Sequence, residues 1–340
     1  MSLQLEYVDY SASWWAFGAL GGIASACIIF LLLCHTVWSL YHISKLARAN
    51  REDQLHTENT SIYLLCVAYF ILGVLANMLY TFMRSTLLSD RQSTQFTLLQ
   101  CQFGYISSLL LFGLNRVLFY VIIIQRIKWS FKGTSYGYRP MLFLFLYWLI
   151  SILCTLHLLL WTLSQSDSLW FLVSNTADTF SFCSKPLSAL TASELFMRGA
   201  LMTAEVAFKF YLMYLFWNEL WKLYHKLADE MNLNDEEKQA PDAQFVDEQL
   251  QALKILCELV KKQTILLFPA VCSTFVFYMF AAISFEGNTL LSWDTMVNSL
   301  CVWLMFTGNE KYWNCCTKYG CCCCCYLTRN LDEYLSQQIE

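Results

Sequence analysis

Arg116, Glu205 and Lys209 stand inside long apolar runs of this chain. A charge in a membrane-spanning segment is costly, so it normally faces the interior and pairs. Glu205 and Lys209 are four residues apart and share one helix face. At about 1.5 Å per residue, Arg116 lies roughly 22 Å and Glu205 about 15–16 Å below the outer ends of their runs. An Arg116–Glu205 bridge between the third and fifth runs is therefore geometrically reasonable. Together with Asn115 these residues form an intramembrane polar group. It reads either as a packing lock or as a switch, an anionic-ligand site or a proton site. Lys209 snorkelling to the surface is a third reading. In the outer half, Tyr105, Ser108, His157 and Asp294 are candidates to line a small-ligand pocket. Asp294 is the sharpest of them, as an acid in the last apolar run.

The elements that must position these side chains are membrane spans. Of 340 residues, 57% are apolar or aromatic and 14% are charged, against about 25% charged in a typical soluble domain. A span needs roughly 20 apolar residues. Seven stretches approach that length: Trp14–Tyr41, Ile62–Met83, Phe96–Ile124, Met141–Leu163, Leu195–Trp217, Thr264–Phe285 and Leu290–Thr307. The chain thus reads as an all-α membrane protein, a seven-transmembrane helix bundle over 14–308. A short extracellular segment (1–13) precedes it and a Cys-rich tail (309–340) follows. Acidic MSLQLEYVDY is the wrong n-region for a signal peptide. No repeat relates the two halves, which argues against an inverted-repeat transporter.

Basic residues set the orientation. Of the 22 Lys and Arg, sixteen fall in the first, third and fifth connections with their flanking helix ends and in the tail, and four on the opposite side. The N-terminus is therefore expected outside and the C-terminus in the cytosol, in a multi-pass protein of the plasma membrane. The basic residues are dispersed, which gives no footing for nucleic acid. The sequon Asn59-Thr60-Ser61 falls on the cytosolic side and reads as a chance match.

Cysteine chemistry follows from this orientation. Cys101, at the outer end of span three, and Cys183, in the second external loop, face an oxidising compartment, where a disulfide is expected and two free thiols are the alternative. The tail stretch CCTKYGCCCCCY lies on the reducing side, directly after a membrane-edge segment. Cys315, Cys316, Cys321, Cys322, Cys323, Cys324 and Cys325 are accordingly read as palmitoylation sites. Two or more acyl chains, at about 0.8 kcal/mol per buried CH₂, would pin the tail. A four-thiolate metal site from Cys315, Cys316, Cys321 and Cys322 is the lesser alternative.

Arg126 follows Cys101 by 25 residues, about 37 Å of helix and a full membrane crossing. Seven spans, an outer Cys on span three with a partner in the second external loop, and an Arg at the inner end of that span resemble the G-protein-coupled receptors. Gln125-Arg126-Ile127 takes the place of the rhodopsin-like Asp/Glu-Arg-Tyr, so Gln125 cannot supply the acid that restrains this Arg in the family. Trp148 is similar to the family's span-four Trp, and FTGNEKYWNCC resembles its short amphipathic eighth helix. CVWLM stands where the family has Asn-Pro-x-x-Tyr, and Pro269 lies near the inner start of span six. The pattern is similar to a divergent, protist-like branch. The resemblance implies a heterotrimeric G protein as partner and an unknown small ligand outside, within membrane lipid. Ser108 replaces the Asp of amine receptors, and Thr295 falls at the place of the retinal Lys.

After span five the Leu spacing continues through the fifth connection, so spans five and six are expected to extend into the cytosol as an amphipathic pair, with Pro241 breaking the acidic link. No Ser/His/Asp constellation or nucleotide loop argues for an enzyme, and the five histidines lack metal-ligand spacing. No cofactor is expected. The alternatives to a receptor are a transporter or channel that uses Arg116, Glu205 and Lys209, and a seven-span scaffold.

Overall fold

The computed structural model describes residues 12–50, 53–86, 94–131, 138–166, 171–174, 181–184, 192–237, 243–283 and 289–306. Among them are seven helices: α1 (Ala12–Asn50), α2 (Asp53–Thr86), α3 (Thr94–Ser130), α4 (Pro140–Ser166), α5 (Ala192–Glu237), α6 (Ala243–Ile283) and α7 (Thr289–Leu304). Four carry stretches long and apolar enough to cross a membrane: Leu20–His42, Thr60–Phe82, Ile106–Ser130 and Gly199–Leu223. A shorter apolar segment, Pro140–Leu156, lies in α4. Midway along its length α6 carries Glu258, Lys261 and Lys262, and α7 has only 16 residues.

The all-α expectation meets one departure. Between α4 and α5, β1 (Phe171–Ser174) and β2 (Ser181–Ser184) pair antiparallel, with Leu172 opposite Cys183. Phe-Leu-Val and Ser-Phe-Cys are short runs of residues that favour a pleated surface. The hairpin packs on α2 and α3 and marks one end of the bundle. The opposite end, where α5 runs on to Glu237 and α6 begins at Ala243, carries most of the Lys and Arg and is called the basic end below.

The helices pack as a ring in chain order, α7 closing against α1, while α3 leans inward to touch α2, α4, α5, α6 and α7. The hydrophobicity is inside-out for water. Phe119, Ile123, Ile127, Leu212, Phe216 and Val302 fill the core, yet Leu31, Trp148, Phe145 and Tyr214 stand more than half exposed on the outer surface. Apolar surface on that scale belongs against lipid rather than water.

Close helix approach is set by small residues. A Cβ on Gly21 of α1 would stand 2.6 Å from Nε1 and 3.1 Å from Cε2 of Trp293 on α7, so the whole indole would have to move. Four residues on, one helical turn away, the Ser25 hydroxyl donates to the Ser292 carbonyl at 3.0 Å and holds the same contact. Gly21→Ala is therefore expected to lower the stability of the detergent-solubilised protein by about 1–3 kcal/mol, read as a fall in Tm against wild type.

Candidate functional site

The charged residues of α3, α5 and α7 meet in one network. Arg116 donates from Nη1 to Glu205 Oε2 at 3.0 Å and from Nη2 to Asp294 Oδ2 at 3.2 Å. Its guanidinium also lies over the Phe277 ring of α6, 5.1 Å from the centroid. The Tyr120 hydroxyl, one turn along α3, donates to Glu205 Oε1 at 2.7 Å. Lys209 donates to the Thr274 hydroxyl of α6. The Thr274 hydroxyl in turn donates a hydrogen bond to Asp294 Oδ1 at 2.7 Å, as the Ser273 hydroxyl does at 2.8 Å. Asp294 thus collects three donors and is the hub.

Two cations and two carboxylates balance to zero. Side-chain exposure is 14% for Arg116, 10% for Glu205 and 1% for Asp294, and Lys209 is almost wholly buried, with Phe119 and Tyr120 rings 4.9 and 5.8 Å from its Nζ. Neutrality and full hydrogen bonding are what make buried charges tolerable. The arrangement ties α3 to α5 and α7, and α5 to α6. Any event that neutralises or displaces one member leaves its partner uncompensated. Tyr120→Phe, which removes one donor to Glu205, is expected to cost about 1.5–3 kcal/mol and can be followed by thermal melting.

Asp294 departs from the sequence reading, lying among the network residues rather than in a separate outer pocket. Lys209 turns inward to Thr274 as a member of the polar group, and not to the surface as the third reading had it. Asn115 belongs elsewhere: neighbours on a helix point in different directions, and its amide donates to the Tyr69 carbonyl of α2 at 2.6 Å. Ser108 is buried near the hairpin end of α3. The side chains of Cys101, Tyr105, His157 and Cys183 lie outside the described residues, so the disulfide and the remaining pocket positions keep the status of expectations. So do the eighth helix and the tail cysteines Cys315, Cys316 and Cys321 to Cys325, which also lie outside them.

At the basic end Arg126 finds an aromatic in place of an acid. Its guanidinium sits 4.3 Å from the Phe306 ring centroid, and Phe306 also stacks on Tyr63 of α2 at 4.6 Å. Its Nε has no hydrogen-bond partner among the described residues. Gln125 and Ile127 flank it, Ile127 wholly buried. Lys262 of α6 donates to the Phe306 carbonyl at 3.3 Å, capping the end of α7, and Ser130 of α3 donates to Gln263 of α6 at 3.3 Å. The basic-end termini of α3 and α7 are thereby fastened to the middle of α6. In the α6 extension, burial pushes the Cys257 thiol up to about 12, so at neutral pH it stays protonated and is a poor nucleophile.

Sequence reasoning missed Ser273 and Thr274 as carboxylate partners, and Phe306 as the seat of Arg126. Two adjacent hydroxyls four and five residues after Pro269 were the available, weak signal for the first. No protein-family model matches the chain, and no curated protein matches it in sequence.

Proposed function

We propose that this chain is a seven-span membrane signal transducer of the G-protein-coupled type, with its N-terminus outside and its basic end in the cytosol. The observation that carries this reading is the charge network: four charges, contributed by α3, α5 and α7 and relayed through hydroxyls of α6, at the level where a stimulus from outside would be felt. A ligand or other stimulus that competes for Asp294 or Arg116 loosens α6 and α7 from α3. The fastening at Arg126, Phe306, Lys262 and Gln263 then opens a cytosolic cleft for a heterotrimeric G protein. The basic-residue asymmetry supports the orientation, and the long α5 and α6 extensions supply a surface for the partner. An eighth helix and a palmitoylated tail complete the proposal at the membrane edge.

The test is nucleotide exchange on a panel of heterotrimeric G proteins, with the protein in lipid nanodiscs and wild type compared with Arg126→Ala. Exchange that depends on Arg126 supports the receptor reading. A second reading draws on the same network, because paired intramembrane charges also serve ion and proton pathways. It predicts charge-dependent flux in proteoliposomes that Glu205→Gln abolishes, without any G-protein response.

A further inference from the structure

α3 turns two arginines inward and matches only one of them with acid. Arg116 has Glu205 and Asp294. Arg126 lies ten residues further on, about 15 Å nearer the basic end, and has the Phe306 ring instead. The titratable side chains that face it are Cys66 and Tyr63 of α2, a thiol and a phenol rather than carboxylates. Among the described residues nothing accepts a hydrogen bond from its guanidinium, and its Nε is buried. A second donor beside it is in the same condition. Ser130, one turn along α3, donates to Gln263 Oε1, while Gln263 Nε2, on a wholly buried side chain, has no acceptor among the described residues. Lys262, the neighbour of Gln263, donates to the carbonyl of the same Phe306. The nearest acid along α6, Glu258, points outward at 72% exposure, with Lys261 at 3.9 Å.

A buried cation and a buried amide, each short of an acceptor, are completed by an anion that only accepts. Phe306 covers the flat face of the guanidinium and leaves its N–H edge, which can hold two oxygens at once. A planar carboxylate would use both of its oxygens on that fork. A phosphomonoester has three terminal oxygens, so it can take the fork and still accept from the donors of α6. The level suits such a group. Arg126 stands two residues past the third apolar run, which ends at Ile124, and Lys262 and Gln263 directly precede the sixth, which begins at Thr264. That is the depth of lipid headgroups, where basic pockets between spans take phosphorylated ones.

We infer that Arg126, Lys262 and Gln263 form a binding site for a phosphomonoester, carried either by an inositol phospholipid of the basic-end leaflet or by a soluble phosphate compound. The bound phosphate bridges α3 to α6 and holds the two helices together. Its consequence for signalling rests on the reading given above: an occupied site withholds Arg126 from the cytosolic partner.

The experiment uses the full chain in phosphatidylcholine nanodiscs and counts retained ligand by native mass spectrometry, beside a melting curve. One arm dopes the bilayer with a phosphatidylinositol bisphosphate. Another adds inositol trisphosphate or inorganic phosphate to the solution. Phosphatidylglycerol, an anionic phosphodiester, is the control. The expected result is saturable retention of one phosphomonoester ligand per chain, with a raised Tm, and the arm that shows it names the source. Arg126→Lys keeps a cation on Phe306 but loses the fork, and should weaken retention about tenfold. Gln263→Leu should weaken it about three- to tenfold. Lys128→Ala, at an exposed cation two residues from Arg126, should leave it unchanged. No retention in either arm would overturn the site. So would equal retention of phosphatidylglycerol, equal losses in Lys128→Ala and Arg126→Lys, or retention untouched by both Arg126→Lys and Gln263→Leu. G-protein exchange separates this site from the receptor reading. Exchange without ligand retention overturns the site alone, whereas retention without exchange supports the site and removes its signalling consequence.

Discussion

Asp294→Asn is expected to destabilise the folded protein by about 3–5 kcal/mol, the cost of leaving buried cations without their counter-charge. Asn keeps the shape and can still accept from Ser273 and Thr274, so the loss isolates charge from packing. Asp294 is the hub because Arg116 reaches it directly and Lys209 reaches it through Thr274. With Asp294 neutral, Glu205 alone faces two cations. The same reasoning predicts a rescue. Lys209→Met removes one cation and fills its place with an apolar chain, so Asp294→Asn/Lys209→Met restores neutrality. The double variant should melt well above Asp294→Asn alone, with a coupling energy of about 1–3 kcal/mol. Additive losses would mean that the residues act separately and that no shared charge balance exists.

Arg126→Ala is expected to reduce G-protein nucleotide exchange at least tenfold, while the protein still folds and inserts. The guanidinium rests on Phe306 without an ion pair among the described residues. A cation–π contact of this kind contributes about 0.5–2 kcal/mol, less than a buried ion pair when broken. The Ala variant should therefore lose little stability. In the proposed mechanism Arg126 leaves Phe306 for the partner when α6 and α7 move, and that second contact cannot be replaced by Ala. Purified protein in nanodiscs, with exchange measured beside a melting curve, separates the two effects. A parallel loss of stability and exchange would reduce Arg126 to a packing residue.

Much of the site was legible in the chain because charges inside apolar runs have few places to go. Counting residues down spans three and five put Arg116 and Glu205 within reach of each other, and the structure places them at 3.0 Å. Asp294 was assigned to an outer-half pocket and not to this group, for it lies only five residues into α7. Depth was counted for Arg116 and Glu205 alone, and the sequence does not say at what level each helix starts. α3 begins at Thr94, well before Arg116, whereas α7 is short and its first turns already lie at the depth of the network. A long guanidinium closes the remaining gap. Asn115 was misgrouped for a different reason, adjacency in sequence, which on a helix means divergence in direction. The signal of the Ser273 and Thr274 hydroxyls was weak because Ser and Thr in spans commonly bond their own helix, as Thr203 and Thr295 do here. The hairpin between α4 and α5 was missed because its strands are only four residues each, too short for any periodicity to register.

The central claim is that the charge network governs how α6 sits against α3 at the basic end. The most direct measurement is a distance distribution between spin labels at Lys128 on α3 and Glu258 on α6, both exposed, introduced as noncanonical amino acids because the chain has 16 cysteines. Wild type in nanodiscs should give one narrow population. Glu205→Gln, which keeps the side-chain shape and removes one charge, should add a population several ångströms longer. An unchanged, narrow distribution in a folded Glu205→Gln protein would contradict the account, for the network would then be a local lock with no hold on the cytosolic end.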